Sequence, residues 1–325
     1  MRVRYARDIC LALCAALFGT SATGAVAGRE YFPAIETQLI TSKSVKQTFK
    51  VQVMQPVQKR GAAQRRFPVV YATDGNLTFD MLKGISYLMQ GAESEANVPP
   101  FILVAIGYPG ESPEAGALLR ARDLTFPGFP APKSRLTAPP VEGVLLAEKD
   151  AKDFYGGADF RKFIAAELIP FIDRKYPTIP GDRTYFGHSG GGGFGLFVLL
   201  TQPDLFRNYI VSSPGLIIRD PAANTGADNE VFVLRDAWSA FLAAHRPLRG
   251  VRLYMSVGTG EQFESVYARW QLTSSFYRVA AMMHAAAIPG LELTTDVFPG
   301  ETHASVWPMA FIHGIRAMFG TRKSR

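Results

Sequence analysis

One serine stands in a setting built to change its chemistry. Gly187-His188-Ser189-Gly190-Gly191 places Ser189 in the G-x-S-x-G pattern of a nucleophile elbow. Residues 183–186 before it, set off by Ile179-Pro180-Gly181-Asp182, read as an apolar strand, and residues 194–201 after it read as a helix. In such a turn the serine backbone is strained and its hydroxyl stands clear of the sheet. Glycines flank it because side chains there would collide with the neighbouring strand and helix. A bare match also occurs in ordinary glycine-rich turns. The strand before and the helix after are what separate the two readings.

A serine hydroxyl attacks poorly at neutral pH without a base, and the base needs an orienting acid. Of five histidines, His188 sits inside the elbow, where its side chain should point away from the hydroxyl. His245 ends an expected helix, where a cation suits the dipole. His284 and His313 fall within expected helices. His303 alone follows the last expected strand, in Phe298-Pro299-Gly300-Glu301-Thr302-His303, and is the candidate base. For the acid, Glu261 follows a strand break at Gly258-Thr259-Gly260 and keeps the chain order serine, acid, histidine. Glu264 is the competing acid, and a helix-start carboxylate is the plain alternative for Glu261.

The attacked carbonyl develops negative charge, which calls for preorganised donors. The N–H of Gly190 is one candidate, at the positive start of a helix. The N–H groups of Asn76 and Gly75, in the break Asp74-Gly75-Asn76, are the others; an ordinary Asp-Gly turn is the alternative.

These residues need elements to carry them. Residues 37–53 read as an antiparallel start, 67–72 and 101–107 as strands covered on both faces, and 79–90 and 159–176 as helices. Further strands are expected at 209–214, 251–257 and 291–298, and helices at 230–245, 263–287 and 306–319. Alternation from residue 67 onward predicts an α/β fold: a mostly parallel sheet with helices on both faces. In such sheets ligands bind at the carboxyl ends of the strands, where the polar breaks fall. Residues 110–155, punctuated by six prolines, are expected to form an irregular lid.

Composition narrows the class. Residues 1–27 resemble a secretory signal peptide: Arg2, Arg4 and Arg7, then an apolar core, then Ala25-Val26-Ala27, with Gly28 as the mature start. The expected location is periplasmic or secreted, with residues 28–325 as one domain. Both cysteines, Cys10 and Cys14, lie in that leader, so the mature chain offers no disulfide, thiolate zinc site or cysteine nucleophile. The net charge of +7 comes from scattered residues without a basic stripe, which argues against nucleic acid as a partner. No later segment is apolar enough to span a membrane. No metal or cofactor is expected, and the oligomeric state is not written in the sequence.

Taken together, Tyr71-Ala72-Thr73-Asp74-Gly75-Asn76, Ile106-Gly107-Tyr108-Pro109, Arg120-Ala121-Arg122-Asp123-Leu124-Thr125, Gly156-Gly157-Ala158-Asp159-Phe160, Phe186 to Gly191, Ser213-Pro214 and Phe298 to His303 are more specific than the elbow alone. The chain resembles the esterase family of α/β-hydrolases that holds the siderophore (enterobactin-type) esterases and esterase D. That resemblance covers about residues 40–319. It implies a serine hydrolase working through an acyl-enzyme, with Ser189 and His303 as the reactive pair and a small-molecule ester, such as a siderophore, as substrate. Where many relatives carry a bulky residue after the elbow serine, this chain has Gly190 to Gly193.

Arg120 and Arg122 are candidates to meet an anionic substrate. The alternative is an Arg122–Asp123 contact that ties the lid down. Two other readings share the fold: a carbohydrate acetyl or feruloyl esterase or an acyltransferase, and a non-catalytic binding module.

Overall fold

The computed structural model describes residues 35–56, 65–90, 98–110, 113–129, 155–219 and 230–320. The expected leader, residues 1–27, lies outside them, as does 130–154 of the expected lid. Eight strands form one sheet: β1 (Ile35–Thr41), β2 (Thr48–Met54), β3 (Phe67–Ala72), β4 (Ile102–Gly107), β5 (Thr178–His188), β6 (Asn208–Ser212), β9 (Val251–Gly258) and β10 (Leu291–Phe298). Their order across the sheet is β1-β2-β4-β3-β5-β6-β9-β10. β1 and β2 pair antiparallel, β2 meets β4 antiparallel, and every pairing from β4 to β10 is parallel. A separate hairpin joins β7 (Ile217–Arg219) to β8 (Glu230–Phe232).

β3 and β4 are buried at every residue, as their unbroken apolar runs demand of strands covered on both faces. One face carries α1 (Gly75–Met89) and α8 (Val306–Phe319), with Phe79, Leu82, Phe311 and Ile315 packed on Val70, Phe186 and Ile210. The other face carries α3 (Gly157–Phe163), α4 (Ile169–Lys175), α5 (Gly190–Thr201) and α7 (Leu272–Ala286), with Phe160, Phe163, Phe194 and Phe276 on Val69, Tyr185 and Leu253. Two apolar layers thus clamp the parallel strands, and their carboxyl ends share one rim.

Several expectations need correction. Residues 113–123, inside the segment read as irregular, form helix α2 (Pro113–Asp123). Pro113 opens that helix, where its missing N–H is harmless, and the remaining prolines all follow it. The long helix expected over 159–176 carries a π turn, Ile164–Leu168, between α3 and α4, just before Pro170, which has no N–H to give. Residues 230–232 are strand rather than helix, and α6 (Arg235–Ala243) starts later. The helix expected from residue 263 is two 3₁₀ turns, Gly260–Phe263 and Ser265–Trp270, before α7. Gln271, left-handed at φ 47°, separates those turns from the helix.

Candidate active site

β5 runs into the elbow and α5 leaves it. Ser189 sits between them at φ 56°, ψ −122°, a conformation that a residue with a side chain adopts only under constraint. The constraint is visible around it. A Cβ on Gly187 would lie 2.3 Å from the Gly191 carbonyl oxygen, one on Gly191 2.5 Å from Thr73 Oγ1, and one on Gly192 2.8 Å from the Ser212 carbonyl oxygen. The Ser189 N–H donates to that same Ser212 carbonyl at 2.9 Å, which pins the turn to the end of β6.

His303 follows β10 and is almost fully buried. Its Nδ1 lies 3.1 Å from Oε2 of Glu261. Glu261 is 2 % exposed, and its other oxygen, Oε1, accepts the Ser213 hydroxyl at 2.6 Å and the Gly258 N–H at 2.8 Å. A buried carboxylate needs such donors to remain in place. Glu264 does something else: its Oε2 accepts the backbone N–H of His303 at 2.7 Å. One acid meets the ring and the other holds the main chain. The glycines of Gly258-Thr259-Gly260 let the two loops meet, since a Cβ on Gly258 would strike the Glu301 carbonyl and the Gly260 N–H bonds that carbonyl at 2.9 Å. With Nδ1 turned to Glu261, Nε2 is the nitrogen left for a substrate-side proton.

His188 packs its ring against the candidate base. Its Nδ1 lies 3.0 Å from Ser212 Oγ, and its ring centroid lies 4.3 Å from that of His303. Burial, then the nearby His303 and Arg120, holds its pKa well below the usual imidazole range, so it is a neutral ring.

Gly75 and Asn76 open α1, where the first N–H groups of a helix have no intrahelical partner. The Asn76 side chain is spent on the backbone of Tyr108: Nδ2 donates to its carbonyl at 2.8 Å and Oδ1 accepts its N–H at 2.6 Å. Gly107 makes room for this clasp, because a Cβ there would sit 2.2 Å from Asn76 Oδ1. Asn76 thus offers the rim its main chain, not its amide.

The two arginines part company. Arg122 forks onto buried Asp123 at 2.7 and 3.0 Å, and Asp123 also accepts the Tyr108 hydroxyl at 3.1 Å. That is the structural tie weighed against substrate binding, and it anchors the end of α2. Burial outweighs these partners and raises the Asp123 pKa. Arg120 instead reaches Asp74, Nε to Oδ1 at 2.5 Å and Nη2 to Oδ2 at 3.3 Å. Both of its terminal nitrogens lie 3.6 Å from the position a Cβ on Gly190 would take. A fixed guanidinium therefore stands beside the elbow, in the space left open by a glycine at 190. Sequence reasoning missed Asp74 as its anchor; the only hint was an acid at a strand end.

A strained serine, a buried imidazole backed by a carboxylate, helix-start N–H groups and an anchored cation on one rim are the parts of an α/β-hydrolase site. Among the described residues no group of three or more His, Cys, Asp or Glu side chains is placed to hold a metal. The fold agrees with solved structures. It superposes on the BES protein from Bacillus cereus with a TM-score of 0.68 (24 % identity, covering 90 % of this chain and 99 % of that one). For a siderophore hydrolase from Aspergillus nidulans, EstB, the values are 0.68, 22 %, 91 % and 99 %. The chain belongs to the esterase family: the family model described as "Putative esterase" matches residues 139–318. It is an ester-cleaving hydrolase. The ferri-bacillibactin esterase BesA of Bacillus subtilis is 26 % identical over 287 residues, covering 87 % of this chain and 89 % of the relative. A siderophore triacetylfusarinine C esterase of Aspergillus fumigatus is 28 % identical over 271 residues, covering 78 % and 81 %.

Proposed function

We propose that the chain is a secreted serine esterase that opens siderophore-type esters through an acyl-enzyme. Ser189 Oγ attacks the ester carbonyl and passes its proton to His303 Nε2. Glu261 holds the Nδ1 edge of that imidazole and balances its charge. The oxyanion is met by the Gly190 N–H, by the N–H groups of Gly75 and Asn76, and by the Arg120 guanidinium, a charge-assisted donor that needs no reorganisation during the reaction. His303 returns the proton to the leaving alcohol. A water then attacks the acyl-enzyme by the same path and releases the acid, regenerating Ser189.

The observation that carries this reading is the Glu261–His303 pair packed against the residue that precedes an elbow serine. Two named relatives hydrolyse siderophores, and a cation beside the nucleophile fits an anionic ligand such as a catecholate or carboxylate. Secretion rests on the leader pattern of residues 1–27. Among the described residues no helix is long and apolar enough to cross a membrane.

The test is a fluorophosphonate followed by peptide mass spectrometry. An adduct on Ser189, absent from Ser189→Ala, supports the mechanism; a wild type that takes no adduct overturns it. A panel of a siderophore trilactone, a feruloyl sugar, an acetylated sugar and short acyl esters then ranks substrates. Preference for either sugar ester would replace the siderophore reading.

A further inference from the structure

Two other rings pack against the His303 imidazole. The Tyr267 ring lies against one side, centroids 4.1 Å apart and planes at 45°. The His188 ring lies at 4.3 Å and 42°. Behind His188 stacks Trp307, at 4.3 Å and 22°. Four rings thus touch in series: Tyr267, His303, His188, Trp307. They come from four places: the second 3₁₀ turn after β9, the loop after β10, the end of β5 and the first turn of α8.

We propose that Tyr267 and His188 are positioning residues that fix the plane of the His303 imidazole between them. The inference rests on the serine-esterase reading above. The carboxylate of Glu261 sets one edge of the ring and Glu264 sets its main chain, but neither prevents the ring from tilting about the Nδ1 contact. Two rings packed within 4.1 and 4.3 Å of it, centroid to centroid, do. His188 suits its place because it is 1 % exposed and held at Nδ1 by Ser212. Being neutral, it adds no positive charge beside a base that becomes an imidazolium during each turnover. Trp307, four residues after His303 on α8, backs the column so that His188 cannot retreat.

Ring-keeping and ring-removing variants of the full chain decide the matter. Tyr267→Phe and His188→Phe keep a flat face; Tyr267→Ala and His188→Gln remove it. Fluorophosphonate inactivation rates and kcat and KM for a p-nitrophenyl ester are measured alongside Tm. The expected result is a loss of about ten- to a hundredfold in kcat and inactivation rate for Tyr267→Ala and His188→Gln, the scale set by displacing a reacting group by about 1 Å. KM should move less than about threefold, since substrate binding is untouched, and both Phe variants should recover most of the rate. Tyr267 is only half-buried, so its variants carry the test should the His188 variants fail to fold. Wild-type rates in Tyr267→Ala, or equal losses in Tyr267→Phe and Tyr267→Ala, would overturn the proposal while leaving the serine mechanism standing. A wild type that takes no adduct would sink both.

Discussion

Oε2 of Glu261 faces Nδ1 of His303 at 3.1 Å, and Oε1 of the same carboxylate is already filled by Ser213 and Gly258. The carboxylate cannot turn without breaking two other bonds. Glu264, three residues on, holds the His303 main chain. A pair that the sequence left as rivals thus has two separate tasks.

Their amide variants should therefore diverge. Glu261→Gln removes the charge that stabilises the imidazolium and upsets its tautomer, and should lower kcat by about 10² to 10⁴ at neutral pH. Glu264→Gln keeps an oxygen for the His303 N–H and should stay within about tenfold of wild type, the loss of charge on a hydrogen bond being worth about 1 kcal/mol. Steady-state kinetics on a soluble p-nitrophenyl ester compares them. Equal losses would contradict the division of labour.

Arg120 and Asp74 should behave as one unit. Arg120→Lys keeps the charge but loses the fork that both anchors it and presents its nitrogens. Removing one oxyanion donor costs about 10² to 10³ in kcat, and that is the loss expected here. Asp74→Asn should cost nearly as much by loosening the guanidinium. Residues in one ion pair are not additive, so the double variant should be no worse than the poorer single one by more than about threefold. Full additivity would show that the two act independently.

What the sequence made legible follows from where each signal is stored. Residues 67–72 and 102–107 announce themselves because strands buried on both faces are apolar at every position. Strand alternation puts the carboxyl ends of β5, β9 and β10 on one rim of a parallel sheet, which is why Ser189, Glu261 and His303 could be grouped without coordinates. The β7–β8 pair was not legible, since strands of three residues show no period. Helix α2 was hidden because the prolines of residues 110–155 were read together as breakers, although Pro113 sits where a helix tolerates it and the others follow the helix. The Arg120–Asp74 pair spans 46 residues and exists only in the folded sheet.

His188 should leave a mark on the pH dependence of stability. Its folded pKa is depressed, first by burial and then by His303 and Arg120. A depressed group contributes stability that is present above its unfolded pKa of about 6.5 and lost as pH falls below it, because the unfolded chain takes up a proton that the folded chain refuses. The slope from one such group approaches about 1.4 kcal/mol per pH unit. Urea unfolding of wild type and His188→Phe between about pH 7 and pH 5 isolates it. The wild type should lose more stability than the variant over that window, and parallel curves would mean that the buried ring is protonated in the folded state.

The elbow itself should be a stability cost that function retains. Ser189 holds φ 56°, ψ −122°, and a residue with a Cβ in so sparsely populated a region loses about 1 to 3 kcal/mol. Ser189→Gly relieves the backbone; against this, glycine adds about 0.5 to 1 kcal/mol of conformational freedom to the unfolded chain. The net gain should be about 1 kcal/mol, seen as a Tm rise of about 2 °C for a chain of this size. Ser189→Ala keeps the Cβ and hence the strain, so its Tm should match wild type, while both variants lose ester turnover. Calorimetry on the three proteins separates strain from the loss of the hydroxyl. If the Gly variant melts below the Ala variant, the surrounding Gly187, Gly191 and Gly192 contacts have already relaxed the turn, and its unusual backbone carries no stored energy.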